Sequence, residues 1–361
     1  MTVFIVDLES VPTRYTCEWK AHVPSLLRKA GHNVQIIAGP TDIPSATTPG
    51  AFLNFGGTNI YKSSQVEQMG RLFCSGSVKP GDHFLFTDAW HPGIINLKYM
   101  SELLGIPVKI HALWHAGSYD PHDFLGRLIG DAPWVRHSEK AFFHAIDHNY
   151  FATDFHIDMF LYNLLDLGRI ADLEIVEEMS DSGKIVRTGW PMEYMVDTLK
   201  LYKGMKKRDL IVFPHRIAPE KQVEIFRDLA AALPQYEFVV CQDKNLTKDE
   251  YHKILGEAKI VFSASLQETL GIGCYEGAIV DAIPMVPDRL SYREMYSEGF
   301  KYPSEWTECY DNYLNFKSHL VHHIDTTMQH YEKRLPQVQQ LTEDLTEYFF
   351  SADNLINNIK N

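Results

Sequence analysis

The chain has 361 residues, 45% of them hydrophobic and 22% charged, the mix of an ordinary globular protein with room for two cores. Its 47 acidic and 34 basic side chains give a formal charge of −13. That balance speaks against a broadly basic nucleic-acid coat or a polybasic membrane anchor, though it allows a small basic cleft on an acidic body. Five cysteines (Cys17, Cys74, Cys241, Cys274 and Cys309), an odd count without a CxxC pair, argue for reduced thiols and against a zinc site or disulfide frame. The N-terminal MTVFIVDLES lacks the basic flank of a signal peptide and reads as a first strand. No run reaches the roughly 18 apolar residues of a membrane span, so a cytoplasmic location is expected.

Short β-branched runs alternate with amphipathic stretches, the pattern of a parallel α/β sheet. In the first half the strands expected are 2–8, 33–39, 83–88, 108–114 and 149–154. A helix between the first two carries Trp19, Val23, Leu26, Leu27 and Ala30 on one stripe and closes at Gly31; Pro24 must open it or kink it. Residues 40–60, rich in Gly, Pro, Thr and Ser, read as a long loop. The acidic segment 166–184 reads as the connection to a second series. That series starts with IVRTGWP (185–191) and continues with strands at 210–215, 236–242, 259–265 and 283–288, and the last 30 residues read as helix. Two successive βαβ series predict two doubly wound domains facing across a cleft.

The most informative stretch is SLQETLGIGCYEGAIVDAIPMV (265–286), with Glu268 and Glu276 eight apart and Gly271 and Gly273 between them. A strand ending near Glu268 and a helix starting near Gly271 would bring a phosphate to the helix N-terminus. The two carboxylates would then grip hydroxyls of a sugar and a ribose. The plainer alternative is a cap-region acid and a solvated helix residue. FPHRIAPEKQ (213–222) adds Arg216 and Lys221, five apart in a loop after a strand, where parallel sheets bind ligands. Arg can clamp a diphosphate with two parallel bonds while Lys supplies a point charge. Alone, this loop would read as a solvated Arg and a Glu220–Lys221 surface pair. Together the two loops fit one nucleotide-sugar diphosphate.

This Arg216…Lys221 pair, with Glu268 and Glu276 after it, resembles the retaining GT-B glycosyltransferases of the large family that includes sucrose-phosphate and mannosyl transferases. Segments 84–115 and 185–191 are similar to that family's first domain and to its lead into the second. PHR at 214–216 and the run from Glu268 through Pro284, Pro287 and Glu294 are most similar to the tRNA-queuosine mannosyltransferase type. The resemblance implies a GT-B fold with an acceptor domain over 1–180, a donor domain over 181–340 and a C-terminal helix, 341–361, packing back on the first. It implies catalytic roles for Arg216, Lys221, Glu268 and His115, and donor binding by Gly271, Ile272, Glu276 and Gln242. His115 would face the donor sugar, with a core histidine as the alternative and His111 and His122 as other candidates. Trp90 and His91 would line the acceptor side. The family's Gly-rich first loop is replaced by ESVPTRYTCEW (9–19), where Arg14 and Tyr15 either substitute for it or serve the acceptor.

The activity so implied is retaining transfer of a sugar from a nucleotide-diphosphate sugar to an acceptor hydroxyl. The sub-family likeness points to a modified base in tRNA or in hydroxymethylated phage-type DNA. A lipid, glycan or small-polyol acceptor is the alternative, as is a non-catalytic nucleotide-sugar sensor on the same fold. No DxD triplet occurs, so neither a metal nor another cofactor is expected.

Overall fold

The computed structural model describes residues 1–11, 14–46, 53–130, 132–169 and 172–360. The chain forms two compact units, Met1–Pro191 with the C-terminal segment from Ala352, and Met192–Ser351.

The first unit runs β1 (Thr2–Val6), α1 (Thr16–Lys29), β2 (Asn33–Ile37), α2 (Phe55–Cys74), β3 (His83–Phe86), α3 (Gly93–Leu103), β4 (Lys109–Leu113), α4 (Phe124–Ile129), α5 (Pro133–Ala145), β5 (His148–Phe151), α6 (Asp154–Leu165), α7 (Leu173–Asp181) and β6 (Ile185–Arg187). Its six strands are all parallel, in the order β2-β1-β3-β4-β5-β6. Strand sequence follows position in the sheet. Central β1 is an unbroken apolar run with Val3, Phe4, Ile5 and Val6 buried, whereas edge β2 buries only Ile37 fully. Phe4 and Phe84, register partners on β1 and β3, stack at 4.7 Å in the core. Helix α1 contains Pro24 in its interior. It stops where Gly31 takes φ +92°, with the Gly31 and His32 N–H groups donating back to Arg28 and Leu27 carbonyls.

The second unit runs α8 (Tyr194–Leu199), β7 (Leu210–Phe213), α9 (Val223–Ala232), β8 (Glu237–Val240), α10 (Lys248–Glu257), β9 (Ile260–Phe262), α11 (Ile272–Ile279), β10 (Ile283–Pro287), α12 (Tyr292–Met295), β11 (Lys301–Tyr302), α13 (Tyr310–Gln329) and α14 (Tyr331–Phe349); α15 (Asp353–Lys360) belongs to the first unit. Its five parallel strands are ordered β11-β10-β9-β7-β8. No described helix is long and apolar enough to cross a membrane. The fold class is therefore as the sequence predicts: α/β, with two parallel-sheet Rossmann-like domains.

Four local readings change. IVRTGWP does not start the second sheet: β6 pairs with β5, with Tyr150 opposite Val186, and ends the first sheet. The segment 40–60 is not loop throughout, because Asn54 accepts from the Gly57 N–H and starts α2 at Phe55; residues 47–52 of that loop lie outside the described residues. The acidic segment 166–184 holds helix α7 and lies in the first unit, its residues 170–171 outside the described ones. Finally β9 stops at Phe262, well before Glu268, so a loop separates strand from helix there.

Candidate active site

In the second unit two loops emerge from the C-terminal ends of neighbouring strands. Residues 214–222 follow β7 and residues 263–271 follow β9. Backbone and side-chain bonds tie them together: the Leu266 N–H donates to the Glu220 carbonyl at 2.7 Å, and the Gln222 amide donates to the Ala264 and Thr307 carbonyls, each at 2.7 Å. Half-buried Arg289 donates to the carbonyls of Ala264, Ser265, Ser304 and Thr307 and fixes the second loop from behind.

That bracing brings the charges together. Lys221 is buried, donates to the Gln267 carbonyl and lies 3.1 Å from Glu268 Oε2. Arg216 pairs with Glu220 at 2.5 Å, and both Glu220 and Lys221 are buried, unlike an exposed surface pair. Burial pushes the Glu268 carboxyl up, but Lys221, His215 and the Gly271 N–H outweigh it and hold the group below its usual range. Beside them His215 is 8% exposed, and its Nε2 has no hydrogen-bond partner. Burial first, then Lys221, lowers its pKa to about 3, so the ring is neutral at pH 7.

Helix α11 begins at Gly271, whose φ of +65° and Tyr292 ring, 2.6 Å from where a Cβ would stand, exclude larger residues. The Cys274 and Tyr275 N–H groups donate to the Gly271 carbonyl, which leaves the Ile272 and Gly273 N–H groups, ahead of the first helical bond, suited to an anion. Glu276 lies just over a turn further along and is not a solvated helix residue. It is 9% exposed and accepts from the Tyr251 hydroxyl at 2.6 Å. Gln242 sits in the turn after β8 and braces the first loop by accepting the Ile217 N–H.

The first unit holds a separate cavity of about 290 Å³ lined by residues including Glu9, Arg14, Tyr15, Phe55, Trp90 and His115. Asp88 also lines it, bonded to Lys62 at 2.7 Å and to the Trp90 N–H at 3.0 Å. Burial works against its charge, but Lys62 and His115 prevail and hold its pKa near 2. The His115 Nε2 lies 2.7 Å from the Thr87 carbonyl, which can only accept, so Nδ1 accepts from the Tyr15 hydroxyl at 2.6 Å. Trp190 and Trp19 close around that pair.

His91 does not line this cavity. It is buried at the start of α3, where Nδ1 accepts the Gly93 N–H at 2.9 Å and Nε2 faces Gln65 Oε1 at 3.0 Å. It thus satisfies an end-of-helix N–H, a role its neighbour Pro92 does not reveal. His111 is also internal, between His83 and Tyr150. Among the described residues no group of three or more His, Cys, Asp or Glu could hold a metal ion.

No family model matches the sequence, nor does any curated protein. Solved structures do match over nearly the whole chain. Starch synthase IV from Arabidopsis thaliana, bound to ADP and acarbose, aligns at TM-score 0.60 and 12% identity over 99% of this chain and 98% of its own. The sucrose-phosphate synthase from Thermosynechococcus elongatus aligns at 0.62 and 10%, over 99% and 97%. The pneumococcal O-GlcNAc transferase GtfA, with UDP and GlcNAc, aligns at 0.58 and 11%, over 100% and 98%. The fold is GT-B. Within this GT-B chain, sequence reasoning named the charged loop residues but passed over those that hold them: Gln222, Tyr251 and Arg289. Their only local signal is polar character beside a strand end, which surface residues share.

Proposed function

We propose that the protein is a retaining glycosyltransferase that moves a sugar from a nucleotide-diphosphate sugar to a hydroxyl on a modified base of DNA or tRNA. The observation that carries the donor half is the junction of the two loops. There Lys221 meets the Glu268 carboxylate beside the start of α11, and Arg216, paired with Glu220, stands on the same loop as Lys221; the Leu266–Glu220 bond ties the two loops. A diphosphate needs Lys221, Arg216 and the helix start, and a sugar's hydroxyls need Glu268. Structures of like fold were solved with ADP or UDP bound, which supports the same donor class.

On this reading the bond from the acceptor oxygen to the anomeric carbon forms on the face where the bond to the phosphate oxygen breaks. The acceptor's proton passes to the departing phosphate. Arg216 and Lys221 hold the negative charge that develops on it, a preorganised term worth several kcal/mol. Glu268 orients the sugar through its hydroxyls, and the Gly271 and Ile272 backbone lets phosphate approach. Glu276, held by Tyr251, accepts from the ribose, and Gln242 keeps the Arg216 loop in place. The acceptor is assigned to the first unit, where Arg14, Tyr15, Trp90 and His115 share one cavity. No metal is required on this reading, since two side-chain cations meet the diphosphate, and turnover is expected to persist in EDTA.

The test is to incubate the protein with radiolabelled sugar nucleotides and DNA, tRNA, lipid extract or polyols. Label in nucleic acid with the anomeric configuration kept is the expected result. Label in lipid or polyol alone overturns the acceptor, an inverted product overturns the stereochemistry, and no donor consumption overturns the enzyme.

A further inference from the structure

Helix α3 (Gly93–Leu103) is apolar on two opposite faces. Ile94, Leu97 and Ser101 turn inward, the first two fully buried, and the helix packs against α2 and α5. Ile95, Tyr99 and Leu103, spaced four apart, form a stripe on the outer side and are 41%, 65% and 68% exposed. A surface helix ordinarily gives that side to charged and polar residues, because apolar area left in water is unfavourable. Single exposed apolar side chains are commonplace. Three on successive turns of one stripe mark an interaction face.

The border of the stripe indicates what covers it. The two charged residues of α3, Lys98 and Glu102, stand one turn apart along one edge and are paired at 3.3 Å. A bilayer surface calls for a basic rim, whereas this rim is neutral on a chain of net charge −13. A Lys–Glu row is complementary to the same row running the other way. Laid antiparallel, with a two-fold axis level with Met100, a second α3 sets its Glu102 opposite Lys98 and its Lys98 opposite Glu102. With a rise of about 1.5 Å per residue, Leu103 of the second copy then falls between Ile95 and Tyr99, a knob between two ridges. Parallel pairing would carry the two charged rows to opposite sides and leave them unmatched.

We infer that α3 is a dimerisation face: two copies of this chain pair through Ile95, Tyr99 and Leu103 in an antiparallel, two-fold contact bordered by Lys98 and Glu102 of each. Such a contact uses the same patch on both copies and closes at two. One helix face is smaller than a standard interface, so association is reversible, with a Kd of roughly 10–100 µM. The inference depends on neither the donor nor the acceptor proposed above.

Sedimentation equilibrium of the full-length protein, from about 1 to 300 µM, tests it. A monomer–dimer equilibrium is expected. Tyr99→Glu puts a carboxylate beside the axis in each copy and should weaken the dimer more than about tenfold. Lys98→Glu sets carboxylates against one another and should weaken it about fivefold. Combining Lys98→Glu with Glu102→Lys reverses the row in both copies and should restore the dimer to within about twofold. Thermal melting followed by circular dichroism, with a midpoint like that of the unaltered protein, reports that each variant is folded. A protein monomeric over the whole range, assemblies larger than two, or a dimer that Tyr99→Glu leaves at full strength overturns the inference. So does a dimer indifferent to Lys98→Glu, or one that the reversed row does not restore. Binding of phosphatidylcholine–phosphatidylserine vesicles by a protein that stays monomeric, lost in Tyr99→Glu, would overturn it in favour of a membrane.

Discussion

The two candidate regions hold their charges in opposite ways. In the second unit the two cations of the first loop meet carboxylates, Lys221 that of Glu268 and Arg216 that of Glu220, and a backbone bond ties this loop to the one carrying Glu268. In the first unit aromatic rings form the walls, and one carboxylate oxygen, Glu9 Oε2, is left without a partner. The first arrangement preorganises charge for an anion that brings much binding energy of its own. The second keeps one carboxylate oxygen sealed from solvent without a donor, an unmet bond that costs stability.

Breaking the loop pairing should have the largest effect. Lys221→Ala removes a phosphate contact and leaves Glu268 without its cation, so release of sugar from the nucleotide donor should fall about 10²- to 10³-fold. Loss of a largely buried pair should also cost about 3–5 kcal/mol of stability, read by urea denaturation. A variant with full turnover would remove Lys221 from the phosphate assignment. Next, Gly271→Val forces a branched side chain into a left-handed backbone against the Tyr292 ring. A drop of about 1–3 kcal/mol in unfolding free energy, with weaker nucleotide binding, is expected.

Acid should strike the first unit. His83, His111 and His148 lie side by side across β3, β4 and β5, with His83 Nδ1 2.9 Å from His111 Nε2. Burial above all, then His148, His32 and Lys109 against Asp82, lowers the His83 pKa to about 4; burial, His148, His83 and Lys109 take His111 well below its usual value. Folded-state pKa values lie below the unfolded one of about 6.5, so between pH 6.5 and 4 the unfolded chain binds more protons. Stability should fall as pH drops through that window, and His111→Gln should flatten the dependence in urea titrations at pH 7.5 and 5.0. A smaller change is expected for Tyr251→Phe, which deletes the bond to Glu276. Its KM for the donor should rise about fivefold, equivalent to about 1 kcal/mol, with kcat nearly kept. Smallest of all, Arg227→Ala removes an exposed pair with Asp243 and should shift stability by less than about 0.5 kcal/mol.

Much of the fold was legible because a strand buried on both faces must be apolar over most of its length, as Val3–Val6, Phe84–Phe86 and Leu210–Phe213 are. What escaped was whatever depends on a distant partner. β6 looks like the first strand of a new series, and only its pairing with β5 assigns it to the first sheet. β11 has two residues and exists because Val286 and Pro287 of β10 lie beside it. The start of α2 was hidden by Gly56 and Gly57, poor helix formers that Asn54 caps. In the candidate site, Arg216, Lys221, Glu268 and Glu276 could be named from type and spacing after strand ends. His91 was read with Trp90 as an acceptor-side residue, and its use in holding the Gly93 N–H depends on where α3 begins.

The sequence by itself determined the alternation of strands and helices, the composition of the cation-bearing loop and of the Glu268 loop, and the glycine that opens α11, since these follow from local periodicity and backbone preference. Tertiary structure alone decided that Lys221 meets Glu268, that Gln222 and Arg289 brace the loops, and that Tyr15 meets His115. Each of those facts joins residues from different strands or helices, such as Lys221 with Glu268, and a pairing across such separations is set by strand order and packing that no local window contains.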